Sequence, residues 1–395
     1  MILNEKISSK IRSVDVSDDK YLVFTGLVSE TKKHIIVNVA IIKEPDTESN
    51  EKMDSHWISE FAYQLNLRLP GGLTILGFGL ATDSITSDKE NVITKAIQRY
   101  YKKLPNYEKL FINSDFVVVI YENEKFSGKI VSGNDGMKMN DQIKFEKLLL
   151  NSITSTITFT WDFYTSVGNT FFEKCSKGFD SLTKSLTNND VFIKNGEIGN
   201  VDEKVHRDTN IDLLMNGWDS NENIMENETF SQHITLNVDM ALQCQINHLD
   251  TFKSAISCLK LALLRSLYAR IELYSLSIEL VTSVREHNVQ CHQMPKIITL
   301  SNKDGEYLID YAETDDGIDE IVNEIKILIG DYAIDKNIID STKERFCESE
   351  EIDIITGFRS KNLPLNNKTN NNFIYLSIFI LFLAILIYPI LKYVL

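Results

Sequence analysis

Positive charge is what this chain most lacks. Its 41 Lys and Arg stand against 56 Asp and Glu, a formal net charge of −15. A nucleic-acid surface needs clustered cations to neutralise phosphates, so no nucleic-acid partner is expected. Paired cysteines are missing as well. Cys175, Cys244, Cys258, Cys291 and Cys347 form an odd and scattered set, with no Cys-x-x-Cys element among them. Neither a disulfide framework nor a zinc site of that type is expected. The seven histidines contain no His-x-His pair and no His-Glu-x-x-His on a helix, the arrangements that hold zinc in hydrolases. His287, Cys291 and His292, with Cys244, His248 and Cys258 earlier, make the nearest thing to a cluster, and it reads as unrelated thiols and imidazoles flanking a helix. Gly71, Gly72, Gly77 and Gly79 precede and enter a strand rather than a helix, and no Lys-Ser/Thr follows them, so a phosphate loop is not expected. The N-terminus (MILNEKISSK) has no apolar leader segment, which argues against a secretory signal. No catalytic residue, metal, cofactor or small-molecule substrate is predicted.

What is present is one long apolar run. From Phe373 to Leu391 there is no charge, and Phe373, Ile374, Leu376, Phe379, Leu381, Phe382, Leu386, Pro389 and Leu391 typify its composition. At a rise of about 1.5 Å per residue, a helix over 373–391 covers roughly the 30 Å hydrocarbon core of a bilayer. The run is apolar all round, unlike a core helix with a polar stripe. Pro389 sits in the last turn, and Lys392 is placed to reach headgroups. We therefore expect a single C-terminal transmembrane helix, inserted after synthesis. The bulk of the chain is expected in the cytosol, with the endoplasmic reticulum favoured as the membrane.

Hydrophobic residues make up 43% and charged residues 25%, which suits a globular body with a substantial core. The pattern predicts an α/β domain over 1–150. Strand-like runs occupy 21–28, 34–42, 73–80, 115–121 and 129–132, with helices at 57–69 and 89–103. A second α+β domain is expected over 151–334, with strands from 153 and over 231–247, 296–300 and 307–311. Its long helix is placed at 251–287, with Arg265, Arg270, Glu272 and Glu279 on its polar side. A further helix fits 318–328. Residues 160–230 read as loose and Asn-rich. Residues 335–372 are acidic and Asn-rich, a composition that buries too little apolar area to offset chain entropy, so a flexible stalk is predicted there.

The stretch Trp57–Gly79 (WISEFAYQLNLRLPGGLTILGFG) carries a Trp, a short amphipathic helix, then Leu69-Pro70-Gly71-Gly72 before an apolar strand. In this it resembles the Odr-four family of odorant-response proteins. Met294–Asp316 and the C-terminal anchor are weaker matches in the same order. The resemblance implies an MPN/JAB-like N-terminal α/β sandwich without its metal site. It also implies a single-pass protein that assists folding or delivery of G-protein-coupled receptors. A third implication is the tethering of a cysteine protease of the ubiquitin-fold-modifier pathway to the membrane. Trp57, Leu69, Pro70, Gly71 and Gly72 are the motif residues. Their role is either geometric, a helix stop and a tight reversal, or a partner contact. The expected function is a non-enzymatic adaptor; the alternative is a hydrolase of ubiquitin-like conjugates.

Overall fold

The computed structural model describes residues 1–45, 53–165, 171–187, 191–206, 209–213, 232–282, 295–301, 307–312, 317–329, 339–344 and 359–360. The predicted transmembrane segment, from Phe373 to Leu391, lies outside the described residues, as do His287, Cys291, His292 and most of the predicted stalk. Among the described residues no helix is long and apolar enough to cross a membrane.

The N-terminal part runs β1 (Ile2–Asn4), α1 (Glu5–Arg12), β2 (Lys20–Val28), β3 (His34–Ile41), α2 (Ser55–Leu67), β4 (Thr74–Thr82), α3 (Ser87–Lys103), α4 (Asn106–Phe111), β5 (Asp115–Glu122), β6 (Lys125–Ser132), β7 (Lys138–Asp141) and β8 (Lys144–Glu146). Its strands form one mixed sheet in the order β7-β6-β5-β4-β2-β3-β1-β8. β4 and β5 are parallel, joined through α3 and α4, while β2 is antiparallel to both neighbours. The sheet curls until its ends approach. Phe126 of β6 meets Phe145 of β8 edge-on at 5.5 Å, and Gly128 leaves room for the side chains of Met1 and Ile143. Inside the curl lies α1, whose Ile7 and Ile11 pack on Leu22, Phe24, Ile36, Val117 and Val119. The opposite face carries α2 and α3 on Val23, Ile75, Phe78, Leu80 and Val118. Strand alternation thus buries both faces, which explains the near-continuous apolar runs of β4 and β5. Asp54 starts α2 by accepting the N–H groups of His56 and Trp57, and Thr86 caps α3.

The second part runs β9 (Leu150–Thr165), α5 (Phe171–Thr187), β10 (Phe192–Lys194), β11 (Glu197–Ile198), β12 (Thr209–Asn210), β13 (Asp212–Leu213), β14 (Gln232–Asn247), α6 (Phe252–Thr282), β15 (Lys296–Ser301), β16 (Tyr307–Ala312), α7 (Ile318–Ile329), β17 (Ile339–Asp340) and β18 (Arg359–Ser360). β9 and β14 pair antiparallel along their whole length, from Gln232 opposite Thr165 to Asn247 opposite Leu150. Ile157, Trp161, Val238, Met240 and Leu242 belong to the core that α5 and α6 share. Helix α5 is unexpected, since its neighbourhood reads as loose. Cys175, Phe179, Leu182 and Leu186 recur at helical spacing and are buried. The β15–β16 pair and α7 contribute Ile298, Leu300, Leu308, Ile321, Val322 and Ile325 to the same core as α2 and α3.

Helix α6 differs from expectation in one telling way. Arg265 and Arg270, placed by sequence on a polar side, are 0% and 3% exposed. A helix with neighbours on several sides can bury an arginine only where counter-charges converge on it. Those counter-charges come from distant segments.

Candidate functional site

The Leu69–Gly72 turn sits at the meeting of the two parts. α2 ends at Leu67, the Leu69 N–H donates to the Asn66 carbonyl at 3.2 Å, and Pro70 prevents further helix. The chain then touches β14. The Gly71 N–H donates to the Gln243 carbonyl at 3.0 Å, and the Gln245 N–H donates back to the Gly71 carbonyl at 2.8 Å. Gly71 therefore makes a one-residue parallel bridge to Cys244. A Cβ on Gly71 would lie 2.6 Å from the Cys258 carbonyl oxygen and 2.7 Å from the Ala262 Cβ. Gly72 has φ +82°, and a Cβ there would lie 2.0 Å from the Gln245 carbonyl oxygen. Only glycine lets the turn seat against β14 and α6.

Beneath the turn is a buried polar hub. The Arg265 Nε donates to Glu108 Oε1 at 2.9 Å, and its Nη1 donates to the carbonyls of Leu69 and Leu73, both at 3.1 Å. The Asn66 Nδ2 donates to both Glu108 oxygens, at 3.0 and 2.8 Å. Asn66, Glu108 and Arg265 are all fully buried. Burial works against the arginine's charge, but Glu108 more than offsets it and raises the Arg265 pKa further. Three elements, α2, α4 and α6, are thereby locked to the turn.

The residue blocks that carry the family resemblance meet here. The Ile309 N–H donates to the Arg68 carbonyl at 2.8 Å, and the Arg68 Nε donates to Asp310 Oδ2 at 3.2 Å. Strand β16 is thus tied to the end of α2. Trp57 stands apart at the other end of that helix, half-buried, its Nε1 donating to the Lys43 carbonyl at 3.0 Å.

Beside the turn opens a cleft of about 560 Å³, lined in part by Glu30, Gly72, Thr251, Lys253, Ser254 and Cys258. Glu30 caps α6 by accepting the Thr251 N–H at 2.9 Å and its hydroxyl at 2.5 Å. Cys258 is half-buried in the cleft wall, and desolvation pushes its thiol up to about 12. Cys244 behind it is fully buried, and its thiol is raised for the same reason. His248 is exposed and contacts the Leu149 carbonyl. No group of three or more His, Cys, Asp or Glu that could hold a metal occurs among the described residues. Sequence reasoning picked out the turn but missed Asn66, Glu108 and Arg265. For Glu108 and Arg265 the only local sign is a charge within apolar surroundings, and Asn66 carries none.

A family model described as ODR4-like, odorant response abnormal 4-like, matches residues 24–341. "Odorant response abnormal protein 4" of Caenorhabditis elegans is 25% identical over 287 residues, covering 67% of this chain. The chain spans 60% of that relative's length. Among solved structures, a crystal structure of UfSP from C. elegans aligns with 83% of this chain and 56% of its own. That alignment has TM-score 0.43 and 10% identity, too loose a superposition to carry an argument. The model match runs from β2 through β17 and takes in the turn, the buried hub and the β16 contact: the chain belongs to the ODR4-like family.

Proposed function

We propose that this protein is a non-enzymatic, tail-anchored adaptor serving odorant-type receptors. The observation that carries the reading is the family match over residues 24–341, which supports a role in odorant-receptor function. The finer parts of the reading are ours. The curled N-terminal sheet, with α1 on one face and α2 and α3 on the other, serves as an MPN-like body without a metal site. The run over 373–391 holds this body at the endoplasmic reticulum membrane, on its cytosolic side. There the body binds G-protein-coupled receptor clients and tethers the ubiquitin-fold-modifier protease. A rigid joint between the two parts suits such a task, because a scaffold must present fixed surfaces to two partners at once.

Affinity capture of the detergent-solubilised full chain tests this. Receptor and protease should co-purify with the chain, and the isolated chain should not cleave ubiquitin-like conjugates. Hydrolysis by the isolated chain would overturn the adaptor reading. Removal of residues 373–395 should move the protein from the membrane pellet to the supernatant; retention in the pellet would refute the anchor.

A further inference from the structure

The second buried arginine of α6 is held differently from the first. Glu344 Oε1 accepts the Ala241 N–H at 2.7 Å and the Arg270 Nη2 at 2.8 Å. Its Oε2 accepts the Ile297 N–H at 2.9 Å and lies 2.8 Å from the Arg270 Nη1. Arg270 is itself set in place without Glu344. Its Nη1 donates to the Pro295 carbonyl at 3.0 Å, its Nε to the Ser266 hydroxyl at 3.2 Å, and it lies 5.2 Å over the Tyr311 ring. Four N–H donors from β14, β15 and α6 therefore converge on one carboxylate, and all four belong to the body. This is a built carboxylate receptor.

What brings Glu344 into it is slender. β17 is two residues long and pairs with β15 only at Leu300–Ile339 and Thr299–Asp340. β15 has β16 on its other side, so among the described residues its edge would be open without β17. The Asp340 carboxylate accepts from its own neighbour Thr342, at 2.9 Å from the amide and 2.7 Å from the hydroxyl. Lys343 donates to the Gln243 side chain. Ile339 is partly buried against the core of α2 and α3. An open strand edge fixes the register of an added strand, and a charged pocket a few residues on reads one side chain of it.

We infer that the β15 edge and the Arg270 receptor form a docking groove for an extended, carboxylate-bearing peptide of a partner protein, held closed in cis by Ile339–Glu344. The matching peptide has an apolar residue at the strand, as Ile339, and a carboxylate five positions later, as Glu344. Exchange replaces one carboxylate by another on the same four donors, so Arg270 is not left uncompensated once the partner is seated. The groove is independent of any membrane anchor.

The test uses the full solubilised chain and a labelled peptide of residues 336–346. Glu344→Ala opens the receptor and should bind the peptide about tenfold or more tighter than wild type. A peptide with Gln in place of its Glu should lose that gain. Equal binding by wild type and variant, or equal binding of both peptides, overturns the inference. Hydrogen exchange on the wild-type chain provides a second measurement that needs no variant. The amides of Ala241, Ile297, Thr299 and Ile339 should open together and faster than those of β2 and β4. Exchange of this group at the rate of the β2–β4 core would also refute the groove. Dimerisation of Glu344→Ala without peptide binding would assign the groove to a second copy of this chain and overturn the partner reading.

Discussion

Arg265 and Arg270 lie five residues apart on α6, both buried, and they do opposite work. Arg265 is enclosed by groups of the body itself: Glu108 of α4, Asn66 of α2 and the carbonyls of Leu69 and Leu73 at the two ends of the turn. Arg270 receives its carboxylate from Glu344, beyond a two-residue strand. The first is a permanent joint between two halves, and the second is a clamp on the chain that leaves them. Burial alone does not distinguish a structural ion pair from an exchangeable one. The number and anchorage of the elements bringing the counter-charge does.

The sharpest way to break the comparison is at the joint. Glu108→Ala leaves Arg265 buried without its carboxylate and should cost about 3–5 kcal/mol, read as a fall in the denaturation midpoint. Removing both charges, as Glu108→Leu with Arg265→Met, should recover part of that loss. Next in size is Gly72→Ala. Its Cβ would meet the Gln245 carbonyl from a left-handed backbone, for about 1–3 kcal/mol. Trp57→Phe, in the same motif but away from the joint, removes one hydrogen bond and should cost about 0.5–1.5 kcal/mol.

The clamp should respond less than the Glu108 hub, though more than Trp57. Glu344→Gln keeps the shape but gives up the charge, and about 1–2 kcal/mol is expected. The loss should be visible as faster hydrogen exchange at Ala241 and Ile297, with β2 and β4 unchanged. If β2 and β4 loosen equally, the clamp belongs to the same cooperative unit as the joint.

The smallest effect is one of pH. His34 is buried, with Nε2 3.2 Å from the Asp115 carbonyl, and burial lowers its pKa from 6.5. The unfolded chain then takes up a proton before the folded one. His34 therefore costs no stability above about pH 6.5, and stability falls as pH drops through that value. His34→Gln should remove this component from a plot of denaturation midpoint against pH.

Much of the fold was legible in the sequence. The β-branched runs of β2, β3, β4 and β5 and the helical stripes of α2 and α6 announced themselves, because each buries enough side chains to impose its own period. β1, α1 and α5 did not. β1 is three residues long and α1 only eight, and their burial depends on a sheet that curls around them. α5 sits in polar surroundings that mask its stripe. For the site, Leu69, Pro70, Gly71 and Gly72 were readable as a turn, since Pro and Gly signal their backbone directly. What the turn touches was not readable. Gly71 bridges Cys244, and Arg265 finds Glu108, across separations that no local pattern encodes. The same holds for residues 339–344. They fall within the predicted stalk, yet Glu344 reaches back to α6, β14 and β15.

The central claim is that the Leu69–Gly72 turn and the Arg265 hub are one joint. A double-mutant cycle between Gly72→Ala and Glu108→Ala tests it most directly. Arg265, held by Glu108, binds the carbonyls of Leu69 and Leu73 on either side of Gly72, so the cycle should show a coupling of about 1 kcal/mol or more. Additivity within about 0.5 kcal/mol would mean that turn and hub act separately, and would contradict the account.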